Sequence, residues 1–279
     1  MTSHAEHGGA VTTRAVTSLQ NPTVKLIRSL EMRKIRRETG LFVAEGASVL
    51  LTARDRGWKP KTVLFHGGGA TTGAHAPILK WAERNQAEIL EVSEAVLGKV
   101  AAKENPQSVL AVFEQAWTEL PAASALAADT VWLALEEIRD PGNLGTIIRT
   151  VDAVGAAGVI LIGACCDPYS REAVRASMGS IFSVPLVRTD RDGFLSWRPS
   201  WPGDVTGTHL DAKQDFRNAE YSGPTLLLMG SEGPGLSPAL AETCNRLIKI
   251  PMAGSIDSLN LAIATALTLY HIRGPHLKI

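Results

Sequence analysis

Val131-Trp-Leu-Ala-Leu-Glu-Glu-Ile-Arg-Asp140-Pro-Gly-Asn-Leu-Gly-Thr-Ile-Ile-Arg149 holds two periodicities in nineteen residues. Residues 131–135 form an unbroken apolar run, as expected of a strand buried on both faces. Asp140-Pro141-Gly142-Asn143 is turn chemistry. Beyond it Leu144, Ile147, Ile148, Val151 and Val154 recur at helical spacing. Asn143 then reads as the helix N-cap. Gly145 leaves room for another backbone to approach, and Arg149 sits on the second turn, off the apolar stripe.

The same alternation extends in both directions. Strands are predicted at 159–162, 184–188, 204–208, 225–229 and 247–250, with helices at 143–156, 171–179, 238–244 and 258–271. Upstream, the Ala-rich residues 120–129 read as a linker. Before them a helix is predicted from Asn21-Pro22 through the Arg-rich run to Thr39-Gly40. Strands follow at 41–44, 62–66, 88–92 and 109–113, and helices at 46–56, 78–85 and 94–101. A glycine-rich loop separates 66 from 78. Strands alternating with helices predict α/β architecture with a parallel sheet covered on both faces. The expected division is a flexible tail at 1–13, a smaller domain at 14–115, a linker at 116–129 and a second domain at 130–279.

Of the 279 residues, 45 % are hydrophobic and 20 % charged, ordinary for a globular protein. The apolar stretch 153–166 is too short for a membrane helix, which needs about 20 residues. The opening MTSHAEHGGA has no signal-peptide pattern. Cys165, Cys166 and Cys244 have no ligand spacing, so no metal and no disulfide framework is expected, and a reducing cytoplasm suits them. The zero net charge is uneven. Residues 1–115 carry 15 Lys+Arg against 11 Asp+Glu, and residues 116–279 carry 13 against 17. Arg28, Arg33, Lys34, Arg36 and Arg37 cluster with Glu31 as the one acid among them, a footprint suited to a polyanion such as RNA.

Three segments follow predicted strands, where open α/β sheets place ligands. The first is the 136–149 turn and helix. The second is Met229-Gly230-Ser231-Glu232-Gly233-Pro234-Gly235-Leu236-Ser237, a tight loop whose exposed N–H groups could wrap a flat or anionic ligand. The third is Ile250-Pro251-Met252-Ala253-Gly254-Ser255-Ile256-Asp257-Ser258-Leu259-Asn260. In it Asp257 or Ser258 is expected to cap the last helix, leaving Asn260 in the first turn, unexplained by capping. The Ala-rich helix beyond invites close packing, within the chain or with a second copy.

In this order and near these spacings, the three segments resemble the three motifs of the SpoU (TrmH) family of RNA ribose 2′-O-methyltransferases. Arg175-Ala-Ser-Met-Gly179…Pro185 is also similar to the family's segment between the first two motifs. Ser18-Leu-Gln-Asn21-Pro…Phe42-Val-Ala-Glu45-Gly46 resembles its ribosomal-protein-like RNA-binding domain. The resemblance implies a trefoil-knotted SPOUT catalytic domain, a homodimer formed through the knot, and S-adenosylmethionine as cofactor. It implies cofactor binding around Thr208, Met229, Gly230, Glu232, Gly233, Ile250, Met252, Ser258, Leu259 and Asn260. Arg149 corresponds to the family's catalytic arginine, with Asn143, Glu232, Ser258 and Asn260 fixing the reactive geometry, and Glu232 or Ser258 as candidate proton acceptors. A guanidinium keeps its proton, so Arg149 is better suited to steady an emerging alkoxide or hold a phosphate than to act as a base. The implied substrate is structured RNA, ribosomal in preference to transfer RNA, with housekeeping and antibiotic-resistance roles both open. The chain departs from the family at Tyr270-His271, where many relatives have Tyr-Glu.

Two other classes compete. A dinucleotide oxidoreductase would need a GxGxxG turn, which the chain lacks. A non-catalytic RNA-binding module would not need Asn143, Arg149, Glu232, Ser258 and Asn260 together.

Overall fold

The computed structural model describes residues 13–67, 75–101 and 108–278. The expected tail and most of the expected glycine-rich loop lie outside the described residues. The chain divides into two compact units, 1–115 with 169–171, and 116–168 with 172–279.

The first unit runs β1 (Arg14–Val16), α1 (Pro22–Ser29), α2 (Arg33–Thr39), β2 (Leu41–Glu45), α3 (Ala47–Asp55), β3 (Thr62–Phe65), α4 (Ala76–Arg84), β4 (Glu88–Val92), α5 (Glu94–Ala101) and β5 (Val109–Glu114). Its sheet has the order β1-β4-β3-β5-β2. The sheet is mixed rather than parallel, because β5 runs antiparallel to both β3 and β2. Asn21 caps α1, its side chain accepting from the amides of Thr23 at 2.9 Å and Val24 at 3.2 Å. Val24, Ile27 and Leu30 point inward onto Val43, Leu64, Leu90 and Val112.

The helix predicted from 22 to 39 is two helices, broken at residues 30–32. Arg36 holds the break. It is buried, and its Nη1 donates to the carbonyls of Leu30 and Glu31, each at 2.8 Å. A turn between two helices leaves carbonyls without helical donors, and this guanidinium satisfies those of Leu30 and Glu31. Arg36 is therefore not available to a phosphate, which corrects its place in the expected RNA-binding cluster. Lys25, Arg28, Arg33, Lys34 and Arg37 are exposed. Arg36→Gln should cost about 1–3 kcal/mol of stability, the usual penalty for orphaning buried polar groups. Urea denaturation beside Arg37→Gln, which should be nearly neutral, checks this.

The second unit contains β6 (Val131–Glu136), α6 (Pro141–Ala153), β7 (Gly158–Ile162), all but the first residue of α7 (Arg171–Ala176), β8 (Leu186–Thr189), α8 (Arg191–Trp197), β9 (Asp204–Thr208), β10 (Gln214–Asp215), β11 (Thr225–Met229), α9 (Pro238–Ala241), β12 (Arg246–Lys249) and α10 (Leu261–Arg273). All seven strands are parallel, in the order β10-β12-β9-β11-β6-β7-β8. β6 and β11 are central and buried along their whole length, which is why both read as continuous apolar runs. Gly145 is where α6 and α7 meet. A Cβ there would lie 2.3 Å from the Ala173 carbonyl oxygen and 2.6 Å from the Ala176 Cβ. Burial pushes the Cys165 thiol up to about 11 and Cys244 up to about 12, so both are inert fillers at neutral pH.

Candidate active site

Because the sheet is parallel, its carboxyl edge gathers the loops that follow each strand. Thr208 stands opposite Ile248 in the register of β9 and β12, and Gly207 stands opposite Leu228 of β11. Three adjacent strands thus end together at Thr208, Met229 and Lys249. The Thr208 hydroxyl donates to the Met229 sulfur at 3.4 Å.

The loop after β11 begins with a forced glycine. A Cβ on Gly230 would fall 1.9 Å from both the Gly235 carbonyl carbon and the Leu236 nitrogen, so the two ends of the loop cross in contact. Ser231 and Gly235 close the crossing with reciprocal backbone bonds of 3.2 and 3.1 Å. Gly233 and Gly235 have φ of +111° and +74°, a region that side chains disfavour. The turn so formed holds Glu232 towards the 139–143 segment. Its carboxylate accepts from the Arg139 amide at 3.1 Å, the Asp140 amide at 3.4 Å and the Asn143 side-chain amide at 3.2 Å.

Asn143 in turn accepts from Asn260 Nδ2 at 2.9 Å. Asn260 Oδ1 accepts the first amides of α10, Ala262 at 2.9 Å and Ile263 at 3.3 Å. One relay, Glu232–Asn143–Asn260, therefore ties the three segments together. It also corrects two expected caps. Asp140, not Asn143, caps α6, accepting the Asn143 amide at 2.6 Å. Asn260, not Asp257 or Ser258, caps α10. The displaced cap is what frees the Asn143 side chain to bridge.

Burial pushes the Glu232 carboxyl up, but its own amide, the Arg139 amide, the Asn143 side chain and the Asp140 amide outweigh that and hold it below the usual carboxylate range. Such a carboxylate is ionised at neutral pH, and the three hydrogen bonds it accepts latch the 139–143 segment to the loop. Ser258 is exposed and, among the described residues, its side chain has no hydrogen-bond partner. Arg149 is also exposed, without an ion-pair or side-chain hydrogen-bond partner among the described residues. Ile250, Met252 and Leu259 are half-buried, and Gly233 is exposed. Half-buried apolar side chains beside open loop backbone suit a ligand with an apolar body and polar edges.

A family model described as the SpoU rRNA Methylase family matches residues 130–270. The chain belongs to the SpoU rRNA methylase family. A second model, the MRM3-like substrate binding domain, matches residues 21–111. An uncharacterized tRNA/rRNA methyltransferase from Synechocystis sp. is 34 % identical over 93 % of each chain. A 23S rRNA (uridine(2479)-2'-O)-methyltransferase from Streptomyces viridochromogenes is 33 % identical over 85 % of this chain and 84 % of its own. Among solved structures, an AdoMet-bound rRNA methyltransferase from Sinorhizobium meliloti is 40 % identical, covers 95 % of this chain and 99 % of its own, and superposes with a TM-score of 0.87.

In this SpoU-family domain the departure at His271 lies away from the three loops. His271 lines a cavity of about 580 Å³ at the amino-terminal edge of the sheet, beside Val131 and Thr225, the first residues of β6 and β11. Its ring is 5.3 Å from that of Phe216 and 6.2 Å from that of Tyr221. Among the described residues no group of three or more His, Cys, Asp or Glu could hold a metal ion. Glu136, a buried carboxylate at the carboxyl end of β6, is a further residue at this edge, outside the expected site set. The available signal was an acidic residue closing an otherwise apolar strand.

Proposed function

We propose that this protein transfers a methyl group from S-adenosylmethionine to a ribose 2′-hydroxyl of ribosomal RNA. The carrying observation is the Glu232–Asn143–Asn260 relay, which assembles three distant motifs into one edge site. The cofactor brings an already activated methyl group. Met229, Gly230, Ile250, Met252 and Leu259 would hold its adenosine and methionine parts, with Thr208 and Gly233 at the margins. Glu232, Asn143 and Asn260 keep the loops in place. Arg149 would meet the negative charge that develops on the ribose oxygen, or the neighbouring phosphate. Ser258, with its exposed hydroxyl, and Glu232 are the candidates for handling the proton.

Homodimer formation through a knotted second domain belongs to the same proposal. Ile263, Leu267 and Tyr270 are 52, 43 and 49 % exposed and recur at helical spacing on α10, an apolar face that the chain itself leaves uncovered. A cytoplasmic location accords with a ribosomal RNA substrate. Among the described residues no helix is long and apolar enough to cross a membrane.

RNA would be gripped by Arg28, Arg33, Lys34 and Arg37, all exposed on α1 and α2. Contacts to phosphates release counterions, so binding should weaken steeply with salt, with a log–log slope of about −0.7 per contact on single strands. Changing Arg28, Arg33 and Arg37 to Gln should flatten that slope and leave S-adenosylmethionine binding alone. The deciding experiment is methyl transfer from labelled S-adenosylmethionine to ribosomal and transfer RNA from a strain lacking the gene, followed by mapping of ribose methylation. Label in ribosomal RNA ribose supports the proposal. Label in transfer RNA alone would move the substrate, and cofactor binding without transfer to either would reduce the protein to a binding module.

A further inference from the structure

Ser237 is the N-cap of α9, yet its hydroxyl makes no capping bond to that helix. It donates instead to Glu136 Oε1 at 2.6 Å, while the Ser237 amide donates to Glu136 Oε2 at 2.7 Å. These residues are 101 positions apart in sequence. A third donor arrives from α8, where Arg191 Nη2 lies 3.1 Å from Glu136 Oε1. The Glu136 side chain is only 4 % exposed. A carboxylate buried to that degree is costly unless its oxygens are satisfied, and here both are.

The neighbouring backbone serves the same end. Successive side chains on a strand point to opposite faces. Glu137 breaks that rule with a φ of +49°, and its Oε1 comes 3.4 Å from the same Arg191 nitrogen. Two adjacent carboxylates thus converge on one guanidinium.

We infer that Glu136 is a positioning residue for the methyl donor, fastening the far end of the glycine loop to the central strand. The inference rests on the functional reading above. The loop is then held at three points. The crossing at Gly230 ties Ser231 to Gly235, Glu232 fixes the turn between them, and Glu136 fixes the exit at Ser237. Release of the last point leaves the other two intact, so the loop loosens without the fold being lost. The donor then has to pay the ordering of the loop's exit at residues 236–237 when it binds.

The test uses the full chain with Glu136→Gln, Ser237→Ala and Ser237→Thr. Glutamine places an NH2 where Ser237 and Arg191 both donate. Alanine removes one donor with little effect on packing, and threonine restores it. Glu136→Gln and Ser237→Ala should weaken S-adenosylmethionine binding and raise its KM about tenfold, as expected for losing a hydrogen bond to a charged group. The kcat at saturating donor should stay close to wild type, and Ser237→Thr should recover the affinity. Amide hydrogen exchange at Leu236 and Ser237 should accelerate in the first two variants without any ligand present. Wild-type exchange and wild-type donor affinity in Ser237→Ala would overturn the inference, as would a fall in kcat with KM unchanged. A wild-type protein that binds no S-adenosylmethionine would overturn the functional reading. The exchange measurement would still decide whether Glu136 fastens the loop.

Discussion

Arg149→Ala should lose methyl transfer by about 10²- to 10³-fold while S-adenosylmethionine affinity stays at the wild-type level, the scale seen when one stabilising donor is removed from a developing oxyanion. Arg149 lies on α6 off its buried stripe, exposed, while Leu144, Ile147, Ile148 and Val151 carry the packing. Its removal should therefore change stability by no more than about 0.5 kcal/mol, as for surface positions in general. Arg149→Lys should also fail, because a compact ammonium does not reproduce a planar fork of donors. Single-turnover transfer and calorimetric donor binding, measured on the same preparations, separate the two effects. Near-normal turnover in both variants would remove Arg149 from the chemistry.

Gly230→Ala should abolish donor binding and lower the melting temperature. The clash is with backbone, the Gly235 carbonyl carbon and the Leu236 nitrogen, each 1.9 Å from the new Cβ. No rotamer relieves it, so the loop crossing must open. Opening carries away Glu232, and with it the tie to Asn143. Overpacking alone typically costs about 1–3 kcal/mol. Gly98→Ala is the control. It lies inside α5, a Cβ there meets nothing within 4 Å, and the exchange should be neutral or slightly stabilising. A Gly230→Ala protein with intact donor affinity would show that the crossing is not needed for the site.

The parts of this architecture that depend on local pattern could be read from the chain. The runs at β6 and β11 announce buried parallel strands because both faces are covered, and the order of the three motif segments announces where they meet. What escaped depends on partners far away in sequence. Arg36 looks like every other cation in its run until its guanidinium is seen closing the turn after α1. Asn143 and Asn260 each sit near a helix start, and capping preferences alone could not decide which residue caps. Asp140 takes one cap, and Asn260 takes the other while also reaching Asn143. Glu136 shows locally only that an acid closes an apolar strand, since its donors come from Ser237 and Arg191. The antiparallel β5 also escaped, because alternation of strands and helices favours parallel pairing and here β5 enters the sheet in the opposite direction between β3 and β2.

The strand order of the second sheet has a consequence for how the protein comes to be active. β6 is made early, but one of its two neighbours, β11, is among the last strands to be synthesised. Until β11 slots between β9 and β6, one edge of β6 stays unpaired, and every pairing in the sheet has to be made by a non-local closure, the slow kind. The Gly230 crossing, the Glu232 latch and the Ser237 fastening all lie just beyond β11. Refolding should therefore regain secondary structure first and donor binding last, with the closure at β11 setting the pace of both the final folding phase and the birth of the site.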